Sequence, residues 1–535
     1  MPDNNTMADE TAMDFVMTSS QPSSAEHCSI NKTAAGAKSS MRSVLGEMLQ
    51  HGTMYWLAIA VGRFSSLILL PLYTKYLTTT DYGIMELLDL TSSVVVLLLS
   101  GRLADAMLYH YFNAGTPKDR AAILSTALLG SLFVGAVTAL VGWFGAPQIS
   151  ELVFKSARYA YYFRLVFLSV AFSLPQSLGY SLLRAQNRSR LFLALSVARL
   201  VFQVSLILWL LVVRHMGFAA MVWTALITYA FESLFACWYI TRGIRISFQW
   251  TLFKSLGRYG VPLAVGSIGM MALHFGDRYV LSRWVTLSEI GIYALGYKIG
   301  MLVSNVQAGF AQYWGAQMFS VLQRPDSAKL YVRVTTYYTV GLIFSALTLA
   351  VLSRPVLELV VTPAYYPAAA FVPVIAVAYV LRGLGDHLRT VFFVERRTEF
   401  DAIVISCGVV VCVILYAVLI PRMGAWGAAI ATVTAFGVMV PLSYWWAQRI
   451  RRYSFEWKRI LGASLCGAGL YALAQVLVAR RLGPGLLVAA LCCLAFPVLL
   501  LAGRFFDSAE KIVAWQMLSA AVQRFRSAPA APVGL

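Results

Sequence analysis

The sequence predicts an all-α integral membrane protein of about fourteen transmembrane helices, arranged as two parallel six-helix lobes followed by two further helices. Three observations support this fold class. Hydrophobic residues make up 59% of the 535 residues and charged residues 13%, about half of what a soluble domain carries. The apolar residues form blocks of roughly 20, the length that crosses a bilayer. Short motifs of the first half also recur in the second half at a constant offset.

The amino-terminal residues 1–40 are polar, rich in Ser, Thr and Asn, and have no apolar core of the kind found in a secretory signal. This composition predicts a disordered cytoplasmic tail. Met41 is an alternative start, so the sequence leaves open whether residues 1–40 belong to the native protein. Residues 506–535 are expected to form a second cytoplasmic tail.

The apolar blocks predict the membrane spans and the division of the chain. They lie near residues 53–76, 82–112, 121–145, 161–183, 190–213, 217–241, 257–281, 288–318, 333–353, 367–393, 401–420, 424–447, 459–479 and 484–503. Residues 41–241 are expected to form the first lobe, 242–447 the second lobe, and 448–505 the two additional helices.

Loop charges predict the topology. A net charge of +19 would indicate nucleic-acid binding in a soluble protein, but here Lys and Arg lie in the loops between apolar blocks. The loops on the side of the amino terminus carry more than twice as many of them as the other loops, which places both termini in the cytoplasm. The outside loops are too short for a folded domain, which argues against several classes of membrane enzyme.

An internal repeat predicts the two lobes. The segment Tyr76–Ile84 after the first span resembles Trp284–Ile292 after the seventh, with Gly83 and Gly291 at equivalent positions. The turn at Gly217 resembles the turn at Gly424, at nearly the same offset. Six spans per repeat is an even number, so both halves should share one orientation, as in parallel-repeat transporters with the substrate path between the repeats.

Signatures of soluble enzymes do not occur in the sequence. It contains no P-loop, no GxSxG and no HExxH, and its seven cysteines lack metal-ligand spacing. We therefore expect no catalytic residues, no cofactor, no metal site and no nucleic-acid partner.

Ionisable residues inside the apolar blocks indicate a polar cavity, because such residues are costly in hydrocarbon. They form faces on several predicted helices. The cations and amides that we expect to bind substrate are Arg63, Lys298, Arg382, Arg389, Asn305 and Gln312, and the candidate ion-coupling acids are Glu86, Asp89, Asp277 and Asp386. Cations contributed by both halves suit a substrate that carries phosphate.

Structural roles remain open for the same residues. Asp386 could pair with Arg382 or Arg389, and the span-two acids could pair with Arg63. His274 could be a satisfied polar residue or a proton switch. Tyr293 and Tyr297 could belong to the interfacial belt or stack on a sugar.

The segments Gly276–Gly300 and Pro71–Gly83 resemble bacterial polysaccharide biosynthesis flippases of the multidrug/oligosaccharidyl-lipid/polysaccharide exporter superfamily, and the similarity in helix order covers residues 41–505. This resemblance implies a MATE-like, V-shaped pair of lobes in the bacterial cytoplasmic (inner) membrane, opening alternately to each side. The implied substrates are undecaprenyl-pyrophosphate-linked oligosaccharides for surface glycans such as the O-antigen of lipopolysaccharide. Membrane lipids and other polysaccharide-assembly proteins are the implied partners. Arg63 and Lys298 occupy the kind of position at which related flippases place cavity cations.

Two other functions are compatible with the sequence. Glu86 and Asp89 would suit an ion-coupled exporter of cationic drugs with the same fold. A membrane glycosyltransferase, polymerase or ligase would need a base such as Asp81 or Glu151, but such enzymes normally carry larger outside loops. The glycan, the coupling ion and the oligomeric state cannot be predicted from the sequence.

Overall fold

The computed structural model describes residues 69–100, 102–322, 327–480, 485–503 and 505. Regular secondary structure within these ranges is helical, which confirms the predicted all-α class. The α-helices, labelled in chain order, are α1 Thr79–Ser100, α2 Leu103–Asn113, α3 Pro117–Phe154, α4 Ala160–Ala185, α5 Ser189–Leu208, α6 Ala219–Thr241, α7 Trp250–Phe275, α8 Asp277–Trp284, α9 Leu287–Gly300, α10 Val303–Leu322, α11 Ser327–Val360, α12 Phe371–Leu388, α13 Thr390–Val394, α14 Thr398–Met423, α15 Ala425–Ile450, α16 Trp457–Ala479 and α17 Gly485–Ala502.

The described residues contain twelve helical stretches that are long and apolar enough to cross a bilayer, so the chain is a multi-pass membrane protein. The predicted count of fourteen is not confirmed. The predicted first span, 53–76, lies mostly outside the described residues, as do the tails predicted for 1–40 and 506–535. The predicted eighth span, 288–318, consists of two helices, α9 and α10, which are separated by a turn at residues 301–302.

The repeat predicted from the sequence recurs in the backbone. Helices α1 and α9 begin 208 residues apart, and α5 and α14 begin 209 apart. Long helices α3 and α11 each contain a proline near the C-terminal end, Pro147 and Pro355, again 208 residues apart. Gly217 and Gly424, which precede α6 and α15, have φ angles of 56° and 55°. Glycine adopts these positive φ angles without steric cost, so each half has a positive-φ glycine shortly before the equivalent helix.

The two halves touch at a contact that we call the seam, formed by the first turns of α1 and α9. A Cβ atom on Gly83 would lie 1.9 Å from the carbonyl oxygen of Leu287, and one on Gly291 would lie 2.1 Å from that of Thr79. Gly83 and Gly291 are 208 positions apart, and so are Thr79 and Leu287. The internal repeat therefore makes the two contacts of the seam equivalent to each other. Glycine is required because no side chain fits between these backbones.

Polar contacts reinforce the same end of the bundle. Hydrogen bonds between the halves join the Thr79 and Ser288 hydroxyls (2.7 Å), Thr362 Oγ1 to Thr74 O (3.0 Å), Tyr365 OH to Leu77 O (3.0 Å), and Lys155 Nζ to Arg283 O (2.8 Å). The halves are therefore closed against each other at this end.

The last two helices extend the second half. Side chains of α16 and α17, including Leu470 and Phe496, pack in one apolar cluster with Ile343 and Leu347 of α11. The two helices therefore pack against α11 of the second half.

Candidate functional site

Arg278, at the start of α8, is the centre of a buried ion-pair network between the halves. Its side chain is fully buried; Nε lies 3.0 Å from Glu86 Oε1, and Nη1 lies 2.8 Å from Asp277 Oδ1. The other Asp277 carboxylate oxygen accepts a hydrogen bond from Tyr293 OH at 2.5 Å. Buried charges require such partners because desolvation is costly. Since Glu86 belongs to α1 and Arg278 to the second half, the pair links the two lobes.

Lys298 of α9 is the accessible cation of this network. Its Nζ lies 2.5 Å from Glu86 Oε2, yet 39% of its side chain is exposed. The same Nζ lies 5.2 Å from the ring centroid of Tyr82. Lys298 and Arg278 thus share one carboxylate, and of the two cations Lys298 is the one whose side chain is partly exposed.

Asp89 lies almost one turn beyond Glu86 on α1 and is exposed. In the described part of the chain, no cation lies within ion-pair distance of its carboxylate. Asp89 therefore stands outside the network, which contains two carboxylates, Glu86 and Asp277, and two cations, Arg278 and Lys298. Arg63, the cation predicted for the first span, lies outside the described residues, so a cation-lined cavity stays a prediction.

The second charged group predicted from the sequence lies on α12 and its C-terminal end. Arg382 Nε is 3.5 Å from Asp386 Oδ2, and Arg389 pairs with Asp386 Oδ1. Arg389 Nη1 also lies 2.9 Å from Asp401 Oδ1 of α14. The structural pairing that the sequence left open for Asp386 is therefore present.

Tyr379 of α12 connects the two charged groups. Its hydroxyl lies 3.0 Å from His274 Nδ1 and 3.3 Å from Tyr297 OH, and the Arg382 guanidinium is 5.6 Å from its ring centroid. The Tyr297 ring lies 4.3 Å from the Arg278 guanidinium. Tyr297, like Tyr293, is fully buried, so neither ring is accessible to a sugar in this conformation.

The amides predicted to follow Lys298 on one helical face lie beyond the turn that ends α9. Asn305 and Gln312 are both exposed on α10. Gln307 of the same helix is instead buried and donates to Tyr379 O at 2.5 Å. The turn at residues 301–302 therefore divides the predicted polar face between α9, which carries Lys298, and α10, which carries both amides.

Sequence reasoning missed a further charged group in the first half. Arg199 Nη1 of α5 lies 3.5 Å from Glu232 Oε2 of α6, and Tyr180 OH donates to Glu232 Oε1 at 2.7 Å. Both charged residues lie inside predicted spans, so the criterion that selected Glu86 would also have found them. His387, which is enclosed by aromatic rings, was also missed, although it too lies inside a predicted span.

Comparison with known proteins identifies the family. The sequence matches the family described as "Polysaccharide biosynthesis protein" over residues 72–370, more than half of the chain. An uncharacterized membrane protein of Methanocaldococcus jannaschii is 21% identical over 250 residues, which are 44% of this chain and 47% of that protein. The chain thus spans about half the length of the curated relative that it matches.

Solved structures identify the fold. The lipid II flippase MurJ in an inward closed conformation gives a TM-score of 0.68 at 12% identity, covering 84% of this chain and 98% of MurJ. An inward-facing multidrug resistance MATE family transporter of the MOP superfamily gives 0.57 at 14% identity, covering 73% of this chain and 94% of that transporter. The chain therefore belongs to the polysaccharide biosynthesis protein family and has the fold of these MOP superfamily transporters.

Proposed function

We propose that this chain is a flippase that moves a lipid-linked oligosaccharide across the bacterial cytoplasmic membrane for surface polysaccharide biosynthesis, and that it catalyses no reaction. The observation that carries the proposal is Lys298, an accessible cation held by a carboxylate of the opposite lobe. A carrier such as undecaprenyl pyrophosphate would present phosphate oxygens to this ammonium, while its tail stays in lipid. The family and the fold support the same class of substrate.

The mechanism follows from competition for Lys298. A diphosphate that binds Nζ displaces Glu86 Oε2, which leaves Glu86 to Arg278 alone. One contact between α1 and α9 is thereby lost, so substrate binding favours separation of the lobes and alternating access. Arg63, Arg382 and Arg389, with the exposed amides of α10, would complete the substrate path.

The proposed topology has both termini in the cytoplasm, lobes at 41–241 and 242–447, and additional helices within 448–505. Loop charges support this orientation. A phosphatase that is active only outside the cytoplasm, fused after Leu535, should be inactive. Strong activity of that fusion would reverse the orientation.

The functional test is complementation of a strain that lacks its cognate flippase. Lys298→Ala should reduce glycan export by roughly tenfold or more, because a charge-assisted contact contributes about 1.5–3 kcal/mol, and Lys298→Arg should restore part of the export. Arg354→Ala is the matched control, since Arg354 forms an exposed ion pair with Glu358. Full export by Lys298→Ala at normal membrane abundance would refute the proposed role of this cation.

Asp89 favours a second candidate, an ion-coupled exporter of organic cations, because it is an exposed carboxylate with no described cation within ion-pair distance. That function predicts that Asp89→Asn raises drug accumulation in a susceptible host and leaves glycan export unchanged. Normal drug accumulation together with normal export would remove Asp89 from both mechanisms.

A further inference from the structure

A groove with a cavity volume of about 40 Å³ lies between α4, α5 and α6, on helices whose main packing partners belong to the first half. Its walls are mostly apolar, and Tyr180, Arg199, Thr228 and Glu232 contribute the polar atoms. None of these residues belongs to the network around Arg278, so the groove is a separate feature of the molecule.

The mouth of the groove borders a surface that faces hydrocarbon. On α6, Phe231, Leu234 and Trp238 are 61%, 69% and 56% exposed, and they recur at helical spacing along one face. Large apolar side chains exposed along a membrane span face lipid. Ionisable groups normally avoid the lipid-facing side of a span. The Arg199–Glu232 ion pair is therefore unusual in lying in a groove next to that side.

Two polar atoms in the groove lack hydrogen-bond partners among the described residues. Glu232 is 8% exposed and its Oε2 accepts no hydrogen bond, although it lies 3.5 Å from Arg199 Nη1. Thr228 is 3% exposed and its hydroxyl has no partner. These residues are four apart on α6, which stacks their side chains on one face of the helix.

The Thr228 hydroxyl is unusual for a threonine in a membrane helix. Thr224, one turn earlier, donates to Ala220 O at 2.6 Å, and its repeat counterpart Thr432 donates to Ala428 O at 3.0 Å. Bonds of this kind satisfy a hydroxyl within its own helix. Thr228 makes none, so its hydroxyl is available to a ligand in the groove.

We infer that this groove binds a membrane lipid whose polar group is an uncharged hydroxyl, such as a diacylglycerol or an isoprenoid alcohol. A hydroxyl can donate to Glu232 Oε2 and accept from Thr228 Oγ1, which satisfies both atoms at once. An anionic lipid does not fit, because Glu232 already neutralises Arg199 and an added negative charge would lack a partner. The inference does not depend on the proposed flippase activity.

The test uses the full chain in nanodiscs with a diazirine-bearing dioleoylglycerol, and mass spectrometry locates the label. Labelling should map to residues of α4, α5 and α6, and excess unlabelled dioleoylglycerol should compete it away. Thr228→Val should reduce labelling about threefold to tenfold, the effect of losing one hydrogen bond. Thr224→Val is the matched control and should label normally, whereas Ala198→Trp should abolish labelling by filling the groove.

Three results would overturn the inference. Labelling that dioleoylglycerol does not compete away would show that the groove has no lipid site. Competition by dioleoyl phosphatidic acid as strong as that by dioleoylglycerol would show that the ligand is anionic. Normal labelling of a folded Thr228→Val variant would refute recognition through the unpartnered hydroxyl.

Discussion

The seam offers the most direct test of how the halves close. In Gly83→Ala the new Cβ would lie 1.9 Å from Leu287 O, whereas ordinary contact begins near 3.4 Å, so the helices must separate by about 1.5 Å. That displacement breaks hydrogen bonds of 2.7–3.0 Å between the halves, at about 0.5–1.5 kcal/mol each. If the closed seam loses about 2–4 kcal/mol of stability in this way, the equilibrium between the closed and open seam shifts toward the open form by about 30-fold to 1000-fold.

Disulfide cross-linking measures this shift. The Thr79 and Ser288 hydroxyl oxygens are 2.7 Å apart, so cysteines at both positions, in a background without the native cysteines, should cross-link rapidly. Adding Gly83→Ala should slow the reaction strongly. Gly309→Ala is the control, because no atom lies within 4 Å of its added Cβ. Cross-linking of the Gly83→Ala protein at the unmodified rate would refute the steric argument.

Other contacts give further predictions, which thermal unfolding in detergent can check. Arg278→Ala should destabilise the protein by about 3–5 kcal/mol, because it leaves the buried Asp277 carboxylate without a cation and Glu86 with Lys298 alone; a stable variant would contradict the network. His387→Phe should be tolerated, since neither ring nitrogen has a partner, while His387→Ala should cost about 2–4 kcal/mol of packing. Glu289→Ala should cost about 0.5–2 kcal/mol by removing the acceptor of the Ala425 N–H, and Glu289→Gln should cost less.

The sequence predicts features that depend on local spacing. The Arg382–Asp386–Arg389 pairing follows from i+3 and i+4 neighbours on one helix, and the structure contains it. Asp81, in the first turn of α1, accepts a hydrogen bond from the Thr78 N–H at 3.0 Å through Oδ2, a local contact between residues three apart. Such interactions need no knowledge of how helices pack.

Partners that belong to different helices could not be predicted. In the structure Glu86 contacts Arg278 and Lys298, two cations that the sequence did not assign to it, and its suggested partner Arg63 lies outside the described residues. Which cation reaches Glu86 depends on the rotation and depth of α1 against α8 and α9, and a polar face on one helix specifies neither. The turn that separates α9 from α10 was missed because apolar residues continue on both sides of it.

The reciprocal geometry of the seam bears on how this chain arose. An interface in which residue i meets residue j while j meets i is the signature of a twofold-symmetric homodimer. The seam reproduces that signature inside a single polypeptide, because Gly83 contacts Leu287 and Gly291 contacts Thr79. A six-helix ancestor could therefore have dimerised through this one self-complementary patch before the gene was duplicated and fused. In such an ancestor a single glycine substitution would have disrupted the interface twice, whereas in the fused chain the two glycines can change independently.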